Sequence, residues 1–267
     1  MKKYIAIFRI KFINTLQYRA AAIAGLLTQF AWGFMLIFAF HAFYRTDSSA
    51  FPMEFSETVS YIWLQQAFLA LFATWFYDND ITESISTGSI AYELVRPVDL
   101  YYRWFCQSAA NRLARALLRC APILIVALII PEPYRLSLPP DILQFALFLL
   151  SMTLALGVVV AFGMLIYIFT IHTLSANGVK VISAVTSDFL AGAVIPLPFF
   201  PGIFGTVAAL LPFASMQNMP LRIYSGNIAG ADALYGILLQ IFWLIALLML
   251  GRIAMSKSLN KVIVQGG

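Results

Sequence analysis

Long apolar runs separated by short polar turns make up nearly the whole chain, and most of the runs are long enough to cross a bilayer as helices. The first, residues 20–44, holds no acidic or basic residue apart from His41, and about 20 residues suffice to cross the hydrocarbon core. A second run, residues 58–77, carries Trp63, Trp75 and Tyr77 near its ends, as interfacial aromatics do. The third, 113–130, is entered through Arg103, Arg112, Arg115 and Arg119 and stopped by Pro131 and Pro133. The fourth, 142–171, is unusually long and implies tilt or an extension beyond the membrane. A fifth, 178–195, and a last, 234–250, complete six predicted spans.

Two stretches do not fit the spanning pattern. In residues 1–18, Ile5, Phe8, Phe12 and Leu16 gather on one side of a helical wheel, with Lys3, Lys11, Asn14 and Gln17 on the other. That pattern predicts an amphipathic helix lying in the interface with its lysines toward anionic headgroups; a simple extension of the first span is the alternative. Arg9 and Lys11 interrupt what would be the apolar core of a signal peptide, so the segment is expected to be retained. The second stretch, 196–220, is apolar, yet seven prolines and glycines between Pro196 and Pro220 cut it into pieces too short to cross. Broken backbone at membrane depth survives only inside protein or along a cavity, which predicts an extracellular re-entrant pair of short helices.

Composition supports this reading. At 61% hydrophobic and 11% charged, the 267 residues carry more apolar surface than a soluble fold of that size can bury. The net charge of +5 could suggest nucleic acid, but the basic residues are spread between apolar runs and form no cluster with interleaved aromatics. They carry topology instead. With the N-terminus inside, fourteen of the 17 basic residues fall on the inner side and only Arg45, Arg135 and Arg222 outside, which predicts cytoplasmic termini. Cys106 and Cys120 then lie on the reducing side, where no disulfide is expected.

The polar loop Asp78 to Leu100 holds five of the 12 acidic residues. Asp80 and Glu83 can cap a short helix over 80–88, Ile81 and Ile85 form an i, i+4 apolar pair, and Gly88 is placed to end it before Arg96 and Pro97. A helix of this kind outside the bilayer calls for a protein groove to receive it; an ordinary solvated loop is the alternative. Arg112, Arg115 and Arg119 share one face of the entering helix, where they could hold an anion or anchor the span by snorkelling. Asp188, after Ser187, is the one acidic residue within a predicted span, and a carboxylate there costs at least about 2.5 kcal/mol unless paired or hydrated. Function and simple packing against a wet vestibule are both open to it. No G-x-x-x-x-G-K-[ST] run occurs, so the chain has no phosphate-binding loop for ATP.

The run ISTGSIAYELVRPVD, from Ile85 to Asp99, together with FLAGAVIPLPFFP from Phe189, LLPF from Leu210 and the P-x-x-I-Y-x-G from Pro220 to Gly226, resembles the permease subunits of ABC-2 type bacterial transporters. The resemblance implies an all-α, six-span polytopic subunit of the bacterial plasma membrane that pairs with a second copy or a related permease. It implies two separate ABC ATPase subunits holding ATP and Mg2+, with no cofactor, metal or nucleic acid on this chain. It also implies that the loop forms a cytoplasmic coupling helix, with Asp80, Ile81, Glu83, Ile85, Gly88 and Arg96 as its candidate residues. Ser187, Asp188, Phe199 and Phe200 are candidates for the translocation pathway, and the Phe-rich walls suit an amphipathic or hydrophobic cargo such as a lipid, drug or peptide. The alternatives are an ion-driven transporter, which internal repeats or several intramembrane charges would favour, and a membrane-embedded lipid-modifying enzyme, for which two distant histidines and one intramembrane carboxylate are thin material.

Overall fold

The computed structural model describes residues 2–17, 25–173 and 176–260. Among these residues the chain is all-α, with twelve α-helices, two short 3-10 turns and no strand. In order these are α1 (Lys2–Leu16), α2 (Leu26–Thr46), α3 (Phe55–Ala67), α4 (Leu69–Phe72), α5 (Asn79–Ser86), α6 (Ile90–Leu94), α7 (Leu100–Ile129), α8 (Ile142–Thr173), α9 (Ala176–Leu190), α10 (Gly202–Leu210), α11 (Asn218–Ser225) and α12 (Gly230–Leu259).

Three of the helices, α2, α8 and α12, are long and apolar enough to cross a membrane. Of these α8 is the central post, with 61% of its most apolar stretch buried in the protein against 17% for α2 and 28% for α12. Its first end is held where Gln144 Nε2 donates to the carbonyls of Ile223 and Ile228, at 2.8 and 2.5 Å. Its far end is held where His172 Nε2 meets Ser258 Oγ of α12 at 2.7 Å. Between them Ser151 Oγ donates to Gln240 Oε1 at 2.8 Å, so α8 and α12 run parallel. The two helices approach closely at Gly157, where a Cβ would come within 2.9 Å of the Leu244 side chain and push it aside.

The second apolar run is not one helix. It breaks at Phe68 into α3 and α4 and then continues without helix from Ala73 to Tyr77. A break in a buried helix opens backbone carbonyls, and each needs a donor. Arg112 of α7 supplies most of them: one terminal amino group donates to the carbonyls of Leu71 and Ala73, at 3.2 and 2.7 Å, and the other to Phe76 at 2.8 Å. Gln29 Nε2 of α2 donates to the Gln66 carbonyl at 2.9 Å. Arg112 is thus neither a snorkelling anchor nor an anion ligand; it is 5% exposed and clamps the broken strand of chain.

The proline-rich segment is likewise held by amide and hydroxyl side chains. Tyr61 and Gln65 of α3 donate to the carbonyls of Gly192 and Ala193, at 3.1 and 2.6 Å, and Gln240 Nε2 donates to Ser215 at 2.9 Å. The segment forms a 3-10 turn, Leu197–Phe199, then α10, and finally α11, which runs through Pro220 to Ser225 instead of ending there. Pro220 falls in the first turn of α11, where its missing N–H is not required.

Helix α1 packs along α7, and this sets its faces. Thr15 is buried and Lys11 is turned inward, while Ile5, Ile10 and Ile13 are 63, 62 and 46% exposed with Lys2 and Arg9 beside them. The wheel over residues 1–18 assigned Lys11 to headgroups; the outward surface is instead this apolar one with a basic margin.

Candidate functional site

The loop between α4 and α7 is anchored through Asp78. Its side chain caps α5 by accepting from the Asp80 N–H at 3.1 Å, so Asp78, and not Asp80, is the helix cap. The same carboxylate takes Lys11 Nζ of α1 at 2.9 Å and Asn111 Nδ2 of α7 at 3.4 Å. The Asp78 backbone N–H donates to the Tyr167 hydroxyl of α8 at 2.7 Å. Four elements therefore meet at one residue that is 3% exposed. Asp80 shares Lys11 at 2.7 Å from a largely exposed position.

From this root α5 lays Ile81 and Ile85 inward, at 2% and 5% exposure, into a cluster with Trp104, Met164, Tyr167 and Met255. Gly88, with φ of +73°, ends the helix as the sequence suggests, and a left-handed residue without a Cβ penalty suits that position. Helix α6 returns Ile90 to the same cluster. Its Glu93 ties the loop to α7 through Arg103 at 3.1 Å and Trp104 Nε1 at 2.7 Å. What remains outward is Asp80, Glu83, Gly88 and Arg96, together with Tyr92 and Val95 at 77% and 82% exposure. The apolar pair of α5 thus faces the chain's own core, and the outward apolar groups belong to α6 and the turn after it.

Lys11 shows how firmly the root is set. Burial works to lower its pKa, but hydrogen bonds and charge from Asp80 and Asp78 outweigh that and raise it above the ordinary lysine value of 10.5. A raised lysine pKa means docking strength fully present below pH 10.5 and lost only as pH climbs through the raised value. Lys11→Met should therefore strand the buried Asp78 carboxylate and cost about 2–3 kcal/mol, while Lys11→Met with Asp78→Asn should recover most of it. Thermal unfolding of the solubilised protein from pH 6 to pH 9 checks both, with a flat profile expected for the wild type.

The pathway candidates are divided by the fold. Ser187 is 1% exposed and Asp188 half-buried on α9, and Asp188 forms no ion pair among the described residues. Phe200 stacks on Phe189, next to Asp188, and on Phe204 of α10, each at 5.1 Å between ring centres. Phe199 turns the other way, to Phe40 and Phe51 at 5.3 and 5.8 Å. Lys180, at the opposite end of α9, reaches Thr82 of α5 at 3.4 Å and the Tyr77 ring at 4.7 Å. Helix α9 therefore runs from the loop to the aromatic stack.

Several groups that build this site escape sequence reasoning: Asp78, Glu93 and Arg112 have partners 10 to 89 residues away in the chain. One signal was available, since Asp78 is the first charge after a long apolar run. Among the described residues no three His, Cys, Asp or Glu side chains gather as a metal site. A family profile described as ABC-2 family transporter protein matches residues 29–266. No curated protein matches the chain.

Proposed function

The chain belongs to the ABC-2 family of transporter proteins and is a membrane permease component of an ABC transporter, and on that premise we propose that it forms the translocation half of an exporter driven by separate ATPase subunits. In this reading two ATPases carry the ATP and Mg2+, and the permease pairs with a second copy or a related chain. Its residence is the bacterial plasma membrane, with both termini in the cytoplasm, and its cargo is amphipathic or hydrophobic.

Six crossings, by α2, α3 with α4, the second half of α7, α8, α9 and α12, fit the basic-residue asymmetry. The parallel course of α8 and α12 supports one net crossing between them, supplied by α9, with the α10 segment re-entering and returning on the outer side.

The observation that carries the reading is a short helix bolted at its root and bare at its tip. Asp78, Ile81, Ile85 and Glu93 join the loop to α1, α7 and α8, so a push on α5 and α6 is delivered to the long helices and not absorbed in the loop. Ile81 and Ile85 act as the anchor of the coupling helix. Asp80, Glu83, Gly88 and Arg96, with Tyr92 and Val95, form the contact. At the other end of α9, Ser187, Asp188, Phe199 and Phe200 border the path. Exposed aromatic and aliphatic groups ringed by charge suit a protein groove.

The test is recovery of the tagged chain from its native membrane in mild detergent. A soluble protein with a phosphate-binding loop and ATPase activity is expected in the eluate. Tyr92→Asp with Val95→Asp should lower its recovery by at least about tenfold without changing the thermal midpoint of the permease. Failure to recover any ATPase across several detergents, or full recovery with the double variant, would sink the reading.

A further inference from the structure

A cation with no ion-pair partner among the described residues sits at the hairpin end of the protein. Arg222 of α11 lines a cavity of about 280 Å3 that lies against the 3-10 turn and α10, with Leu197, Pro198, Phe200, Gly202 and Thr206 as its other principal walls. Its Nε donates to Asn227 Oδ1 at 2.7 Å. Glu57 and Asp232 act on Arg222 only at a distance, and Glu57 Oε2 accepts from Asn227 Nδ2 at 3.0 Å and from the Glu54 backbone N–H at 2.9 Å. Among the described residues Arg222 forms no ion pair within 4.0 Å, and its two terminal amino groups have no protein acceptor. Those two groups are the fork with which arginine grips phosphate or carboxylate.

The surroundings restrict what that anion is attached to. A cavity of about 280 Å3 is at the small end for ligand sites, large enough for a headgroup and too small for a drug-sized molecule. Helix α10 lines the cavity with Gly202, Gly205, Thr206 and Ala209 and presents Ile203 and Val207 on its flank, at 83% and 50% exposure. One charge inside and an apolar track outside describe an amphiphile.

We propose that this cavity binds the phosphate-bearing headgroup of an anionic membrane amphiphile, with Arg222 as its cation and the acyl portion lying along Ile203 and Val207. The placement in the outer leaflet rests on the permease reading above. The same phosphate chemistry could be supplied by a free anion, and the experiment separates the two sources.

Native mass spectrometry of the purified chain, after exchange into micelles containing phosphatidylglycerol or phosphatidylcholine, gives the readout. The wild type is expected to retain phosphatidylglycerol about tenfold better than phosphatidylcholine, and Arg222→Gln to lose that preference. Arg222→Lys, which keeps charge but not the fork, should keep part of it. Ala209→Phe fills the cavity wall without touching the Arg222–Asn227 bond, so it carries the test should Arg222→Gln fail to fold. Displacement of the lipid by millimolar inorganic phosphate would assign the site to the phosphate group whatever its source; resistance to it would assign the whole amphiphile. Retention of phosphatidylglycerol by both Arg222→Gln and Ala209→Phe at the wild-type level would overturn the proposal. The measurement needs no ATPase, so a failed pull-down would remove the functional reading and leave this result standing.

Discussion

Arg112→Met is expected to remove more than about 4 kcal/mol of stability, although the side chain is 5% exposed and meets no surface open to a partner. Three carbonyls, those of Leu71, Ala73 and Phe76, lose a charged donor together. Each hydrogen bond to a charged group is worth about 1.5–3 kcal/mol, and the apolar replacement offers the abandoned carbonyls nothing. The site is buried inside the protein, where no water takes over, so the non-helical stretch from Ala73 to Tyr77 has to refold or unfold. The measurement is the yield of monodisperse solubilised protein with its thermal midpoint. Arg112→Lys should rescue only in part, because a single ammonium cannot span carbonyls that the planar guanidinium reaches from two corners. A midpoint within about 2 °C of wild type for Arg112→Met would mean that the non-helical stretch from Ala73 to Tyr77 is held by something other than this clamp.

The second large effect separates anchoring from contact in the loop. Ile81→Asp places a carboxylate among the apolar side chains of Trp104, Met164, Tyr167 and Met255. Desolvating an unpaired charge there costs several kcal/mol, more than the about 2–5 kcal/mol expected for the cavity left by Ile81→Ala. Ile81→Asp should therefore unfold this end of the permease and lose the ATPase as a secondary consequence, visible as a depressed thermal midpoint. Tyr92→Asp, at a position 77% exposed, should lose the ATPase with the midpoint unchanged. Equal midpoints for the two variants would place Ile81 on the outside and reverse the assignment of roles.

The contrast between these residues also marks how far the sequence could be read. Helices α2, α8 and α12 are legible because hydrophobicity and length alone specify a helix that can cross a membrane, and α5 is legible from its apolar pair and Gly88. The break at Phe68 and the end of helix at Phe72 are not, because neither glycine nor proline marks them; the carbonyls they open are held by Gln29, 37 residues before Gln66, and by Arg112, 36 to 41 residues after Leu71, Ala73 and Phe76. The faces of α1 are hidden for a related reason. A wheel sorts side chains into two sides, but only packing along α7 decides that Lys11 turns inward and Ile10 outward. At the candidate site the outer residues Glu83 and Arg96 are readable as polar positions, whereas the root at Asp78 depends on Lys11, 67 residues earlier, and Asn111, 33 later.

The clamps on broken backbone impose an order on how the chain is made. Leu71, Ala73 and Phe76 leave the ribosome 36 to 41 residues ahead of Arg112, which at about 5–20 residues per second is an interval of about 2–8 s. Gln240 follows Ser215 by 25 residues, so the second broken segment waits in the same way. Ala193, in contrast, emerges to find Gln65 already synthesised. During the first interval the carbonyls that follow α4 are without their donor, and that stretch cannot reach its final form until α7 arrives. A chain truncated between residues 77 and 112 is therefore one that membrane quality control should recognise and destroy, whereas truncation after α7 leaves the N-terminal half with its own clamp complete.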